Sequence, residues 1–449
     1  MSILDYHLQH VLFRILDGES SDVKHRLRNI RQCGRRLVQH STNLPVVAVM
    51  RSDDGHSALF GHAHCRNPLC CPVCSAKIME QYRAKIASAI DMQENSGFVG
   101  FMATFTVPHL GFMSCRETTD ILYATWKYFR MRLKASKGRN WIHPYKRFTD
   151  ATGVKSFVRV CEYTYGEKHG WHPHFHCIFW VPREHFDDVL EWEHELCEFW
   201  IQQARRVTMK YWRTNNLHGD QDLDKLLESV FAHADDWHQA LYFSRDKNGK
   251  LLRAMSSDYI TGWGSDREAT GNCRKQASHA GHYTPYQILE MAERSPKWAR
   301  VYIDFCLNVT RKPVHHRVNF SKDGICKRID AWIEQHGMVS GVEVKKKSWA
   351  VVTYFNADEW CGIYSKNRTQ PVIENILLLA KDPNNEQALF DYIESLGIPP
   401  RRRLKLNQFA PGRVEVIYDG EIIYVDEYTA ELIFGWRTCT EIEGYYNIA

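Results

Sequence analysis

Between residues 156 and 182 the chain has few choices other than to double back on itself. Phe157–Tyr165 and Trp171–Val181 are two runs rich in aromatic and β-branched residues, separated by Gly166-Glu-Lys-His-Gly170. Such runs around a short glycine-bearing loop predict a β-hairpin. Side chains alternate along a strand, so in Trp171-His-Pro-His-Phe-His-Cys-Ile-Phe-Trp180 His174 and His176 share a face while Phe175 anchors the other. If the loop is symmetric about Lys168, residues equidistant from it lie opposite one another. Glu162 then faces His174 across the hairpin, with β-carbons about 5 Å apart. Two imidazoles and one carboxylate hold a divalent ion and leave coordination positions open, as a catalytic site requires. His172 shares this face nearer the loop, as a fourth contributor or a phosphate contact. A register slip of one residue would turn Glu162 to the opposite face.

A second cluster precedes the hairpin. The chain contains 14 cysteines, and Cys65, Cys70, Cys71 and Cys74 crowd together. Clustered cysteines read as metal ligands rather than as a disulfide framework. Cys71 and Cys74 have the spacing of a zinc knuckle, with Cys65 as a third ligand. For the fourth, Cys70, His62, His64 and Cys33 are all open.

Charge is informative by distribution rather than by sum, since the formal net charge is only +5. From Lys24 to Arg36 there are six Lys or Arg and no acid; from Trp126 to Arg147 there are eight, interleaved with aromatics. The second run admits two readings. Lys127, Arg130, Arg132 and Lys134 neutralise phosphates while the aromatics stack on bases, or the run is a solvated helix face whose aromatics point into the core. No eighteen apolar residues are consecutive, so no membrane span is expected. The amino terminus lacks the apolar run of a secretory signal, which makes the cytoplasm the expected location.

WHPHFHCIFWV resembles the second motif of HUH-type replication initiators of rolling-circle plasmids. Phe101-Met-Ala-Thr-Phe-Thr-Val-Pro-His109 resembles their first motif, a strand beside the histidine strand, and Arg159–Gly166 resembles the stretch carrying their glutamate. Ser257-Asp-Tyr-Ile-Thr-Gly-Trp-Gly264 resembles the third motif, which implies that Tyr259 is the nucleophile. Family members commonly carry Lys three residues later, where this chain has Gly262; Lys275, or else Arg267, is the nearby cation able to replace it. The likeness runs from about Cys65 to Phe320 and includes the Cys-Pro-x-Cys segment.

What this resemblance implies is an α+β chain whose HUH domain has a central antiparallel sheet flanked by helices. Four segments are expected: a basic helical stretch at 1–55, a cysteine-rich zinc-binding segment at 56–95, the HUH domain at 96–323 and an accessory α+β domain at 324–449. The implied activity is nicking and rejoining of one strand of single-stranded or hairpin origin DNA through a 5′-phosphotyrosine. Mg²⁺ or Mn²⁺ would serve the catalytic site and Zn²⁺ the cysteines, with a host helicase and polymerase as partners. A transposase using the same chemistry, or a DNA-binding regulator weakened by Gly262, are the alternatives.

Overall fold

Alternating burial along the strands organises the larger part of the computed structural model. Described are residues 3–37, 46–131, 143–219, 222–232, 240–256, 264–270, 281–309, 318–336 and 348–399, with the backbone of 413–418 and 421–426. The chain is α+β, built from two compact units. One comprises Met1–Asn67, Cys71–Ala76 and Val342–Ala449; the other comprises Pro68–Cys70 and Lys77–Gly341.

The first unit contains a five-stranded sheet. β1 (Val47–Ser52) pairs antiparallel with β2 (Ser57–Phe60) on one side and with a strand from far along the chain, Ser348–Phe355, on the other. The hairpin signal at Asp419-Gly420 is matched by antiparallel strands Arg413–Tyr418 and Glu421–Asp426, which complete the sheet. Helix Ile3–Gly18 packs on helix Val372–Ala380. Asp17 is gripped by Arg31 (2.9 Å) and Arg368 (2.6 Å), and Trp360 donates to the Gly34 carbonyl at 2.8 Å. The described residues among 1–55 and those between 348 and 426 therefore share one unit, not the two separate segments expected. The physical reason is that β1, with Val47 to Met50 wholly buried, has only one local partner and needs a second from the distant end of the chain.

The second unit is built on a six-stranded sheet. β3 (Phe98–Thr106), β4 (Ser156–Gly166) and β5 (Gly170–Pro182) form its centre, β5 in the middle and antiparallel to both neighbours. β6 (Leu241–Phe243) borders β3, while β7 (His282–Tyr283) and β8 (Val318–Phe320) share the outer edge of β4. One face carries Phe101, Phe105, Phe157, Phe175 and Phe179. Helices Cys115–Arg130 and Glu193–Asn215 cover it, with Trp126 and Trp200 packed edge-on to Phe105 at 5.1 and 5.0 Å. On the opposite face Val158, Val160, Ile178 and Trp180 meet Ile86 and Ile90 of helix Pro72–Asn95 and Ile325 and Ile329 of helix Ile325–His336. That last helix thus belongs to this core, although 324 was expected to open an accessory domain.

The hairpin register is the symmetric one: Glu162 pairs with His174 and Gly166 with Gly170. Gly170, where the chain re-enters the sheet, adopts φ +77°, a left-handed conformation that glycine takes without a Cβ clash.

Candidate metal centres

β4 and β5 bring Glu162, His174 and His176 together on one face. Nε2 of His174 and Nε2 of His176 each stand 3.0 Å from the same carboxylate oxygen, Oε2 of Glu162. The donor atoms all lie within 4.8 Å of one another. Ligands held at about 2.1 Å from an ion and at right angles to one another are about 3.0 Å apart, so the spacing fits a divalent ion. Tautomers agree with this. Nδ1 of His174 faces the His172 carbonyl at 3.4 Å, and a carbonyl only accepts, so that nitrogen carries the proton and Nε2 presents a lone pair. Two lone pairs facing each other at 3.0 Å repel unless a cation lies between them. Nδ1 of His176 pairs with the Thr104 hydroxyl at 3.1 Å, Thr104 being its register partner on β3.

Access and electrostatics also suit a bound cation. The His174 side chain is 12% exposed against 8% for Glu162 and His176, so the group opens outward at His174. Burial would push the Glu162 carboxyl up, but the neighbouring imidazoles of His176 and His174 hold it well below the usual carboxylate range. His172 is not among the converging donors. Its ring stands 5.3 Å from that of His174 and 4.8 Å from that of His109, three residues beyond the end of β3. Burial first, then the charges of His109 and His174, hold His172 well below its ordinary value. Burial likewise lowers His109 to about 4.

The thiol cluster forms in the first unit, from Cys33, Cys65, Cys71 and Cys74. Sγ of Cys74 lies 3.5 Å from those of Cys33 and Cys65, and Sγ of Cys71 lies 3.6 Å from that of Cys33. These are non-bonded distances, close to the edge of about 3.8 Å that a tetrahedron with metal–sulfur bonds of about 2.3 Å would have. The amide of Cys65 donates to Cys33 Sγ at 3.4 Å and Gln9 Nε2 donates to Cys71 Sγ at 3.7 Å, bonds that favour thiolates. Cys71 and Cys74 also flank the start of helix Pro72–Asn95, where the helix dipole favours negative charge. Cys70, named with the cluster from sequence, is not part of it. It is buried in the second unit, with its carbonyl accepting from the Tyr302 hydroxyl at 2.8 Å. Adjacent residues at a chain turn point apart, so Cys70 and Cys71 cannot both reach one ion here, and Cys33 from the preceding helical segment takes the place.

For the basic run, the structure resolves the two readings at the positions it describes. Trp126 and Phe129 are interior, 5% and 1% exposed, and the Arg130 guanidinium lies over the Phe157 ring at 4.1 Å. Lys127 is exposed. Trp126 and Phe129 are thus core, not platforms for bases, while Tyr128 and Tyr145 are half-buried. Arg132, Lys134, Tyr259, Gly262 and Lys275 lie outside the described residues. Thr104 and His109 went unremarked as site residues in the sequence; alternation along the first-motif strand is the signal that would have placed Thr104 beside His176.

Among the described residues no helix is long and apolar enough to cross a membrane. No protein-family model matches the chain, and no solved structure does. Two curated proteins resemble part of it. Over 151 residues it is 26% identical to a Streptomyces lividans protein named "Protein rep", covering 30% of this chain and 33% of that one. Over 149 residues it is 26% identical to a Streptomyces cyanogenus protein named "Neomycin resistance protein", covering 30% and 34%. The chain spans about a third of the length of these curated relatives.

Proposed function

We propose that the chain is a plasmid replication initiator of the HUH endonuclease type, nicking one DNA strand and retaining it on Tyr259. The observation that carries this is the convergence of Glu162, His174 and His176 on one face of an antiparallel hairpin, with the first-motif strand β3 paired beside it. Similarity to a protein named "Protein rep" supports the same reading.

In this mechanism Glu162, His174 and His176 would hold a Mg²⁺ or Mn²⁺ ion, which would supply Lewis-acid chemistry at the scissile phosphate. Thr104 keeps the His176 ring in its ligating orientation. The Tyr259 phenol loses its proton and its oxygen bonds to phosphorus; the bond to O3′ breaks, and that oxygen takes up a proton. The strand's 5′ end stays on the tyrosine and the free 3′-hydroxyl primes a host polymerase, aided by a host helicase. Because a phosphodiester is exchanged for a phosphodiester, a later hydroxyl can reverse the step. Lys275 supplies the cation that Gly262 cannot. The four-cysteine cluster would hold a Zn²⁺ ion in a structural role, as that donor set selects.

The test is to incubate the full chain with supercoiled and single-stranded DNA plus Mn²⁺, followed by a denaturing gel and mass mapping of attached nucleotide. Attachment at Tyr259, absent in Tyr259→Phe, is expected; an adduct that persists in that variant would sink the tyrosine assignment.

A further inference from the structure

At the turn end of the β4–β5 hairpin lies a cleft of about 340 Å³ that the reaction above leaves unused. Gly111, Phe112, Tyr165, Trp171, Arg300 and Asp304 line it, all within the second unit. Tyr165 stands three positions after Glu162 and Trp171 three before His174, so alternation puts both on the face away from the metal ligands. Trp171 is the buried floor, stacked at 4.7 Å on Phe305 of helix Pro296–Val309, which also carries Arg300 and Asp304. The segment between β3 and helix Cys115–Arg130 leads from the metal face to this cleft. His109 meets His172 on the metal face, and Gly111 then passes so close to the turn that a β-carbon there would lie 2.8 Å from the Lys168 carbonyl oxygen. Phe112 follows at the cleft, 47% exposed, with its ring edge-on to that of His218 at 5.2 Å.

The lining selects among the parts of a nucleic acid. Its charged residues are Arg300 and Asp304, one cation and one carboxylate, so it lacks the excess of cations that would draw a phosphate. It offers instead aromatic surface for stacking, a guanidinium that donates and a carboxylate that accepts from an amino group on a base edge. Asn308 Nδ2 donates to Asp304 Oδ1 at 2.8 Å and steadies that carboxylate. The volume is at the lower end of the range of about 300–1,000 Å³ in which small organic ligands bind.

We propose that this cleft takes an unpaired nucleobase, stacked on Phe112, from the strand whose phosphate lies at the Glu162 group. Strand rise puts Trp171 about 10 Å along β5 from His174, so the two subsites are a few nucleotides apart. The proposal deepens the endonuclease reading: it rests on that reading for what the strand does there, but not for the binding of the base.

The experiment follows fluorescence anisotropy of a labelled mixed-sequence oligonucleotide, single-stranded or in duplex, on the full chain with no divalent ion added. Phe112→Ala is expected to bind the single strand about tenfold more weakly than wild type, the worth of one stacked base, with duplex affinity unchanged. Phe112→Tyr, which keeps the ring, is expected to bind as wild type. Arg300→Gln, at an exposed position, is expected to weaken the single strand severalfold and carries the test if circular dichroism shows Phe112→Ala unfolded. Unchanged single-strand affinity in folded variants, equal weakening on duplex, or a wild-type chain that does not bind the single strand overturns the cleft. The Tyr259 adduct is assayed separately with Mn²⁺. An adduct from a chain whose Phe112→Ala variant binds normally leaves the endonuclease reading standing without the cleft. A tenfold loss in Phe112→Ala from a chain that forms no adduct upholds the cleft and sinks that reading.

Discussion

Glu162 faces two imidazole nitrogens with one oxygen, and the outer nitrogens of those rings are committed elsewhere. At this scale the decisive groups are the ones that orient ligands. Thr104→Val keeps volume and strand propensity but deletes the hydroxyl on His176 Nδ1. Loss of such an orienting bond weakens metal affinity by about 10–100-fold, and Mn²⁺ titration calorimetry of the variant is expected to show it; unchanged affinity would mean the ring is held by packing alone. His109 makes a separate prediction about acid. Its imidazole, ordinarily near 6.5, is lowered to about 4 by burial, with the charges of His169 and His282 adding to the effect. The unfolded chain therefore binds a proton there that the folded chain refuses, so its contribution to stability is lost as pH falls from about 6.5 to 4. In a chelator, the urea midpoint is expected to decline through that window, and less steeply in His109→Gln. His172 shifts in the same direction, so the slope is reduced and not abolished.

The element that matters most is the hairpin β4–β5, because its register decides whether a carboxylate meets the histidines. Two things hold that register. Phe175 is wholly buried against Trp126 and Tyr123, at ring distances of 5.7 and 5.0 Å, and the turn ends in a left-handed glycine. Gly170→Ala meets a conformation that costs an L-residue about 1–2 kcal/mol, and its methyl would reach the α-carbon of Gly111 at 3.5 Å. A loss of stability of that order in urea unfolding is expected, along with weaker Mn²⁺ binding. Phe175→Ala, which empties the opposite face, is expected to cost about 3–5 kcal/mol. If either variant kept full stability, the turn or the anchor would not be what fixes the pairing.

Across the whole molecule, the first unit depends on segments that sequence order keeps far apart. Cys33 meets Cys65, Cys71 and Cys74, and β1 is completed by a strand beginning at Ser348. Elemental analysis is expected to find zinc in the wild-type chain and in Cys70→Ser but not in Cys33→Ser or Cys71→Ser, the last two with a lowered melting temperature. The reverse result would restore Cys70 to the cluster. Truncation after residue 341 removes the β1 partner strand together with Trp360 and Tyr364, both nearly fully buried. Such a chain is expected to expose residues 1–67 to limited proteolysis, whereas an independent accessory domain would come away cleanly.

The hairpin, its register and the meeting of Glu162 with His174 and His176 were legible in the residues alone. Strand alternation and turn chemistry act over a few positions, and the sequence displays those positions side by side. The cysteine segment was legible as a cluster for the same reason, but not the choice of Cys33 over Cys70. Nor could periodicity show that the two ends of the chain make one sheet, that Arg130 stacks on Phe157, or that Thr104 and His109 flank the histidines. Those outcomes turn on which distant segment buries which surface. Many pairings satisfy a local pattern equally well, and only the packed fold, in which each buried strand edge and polar atom must find a partner, selects among them.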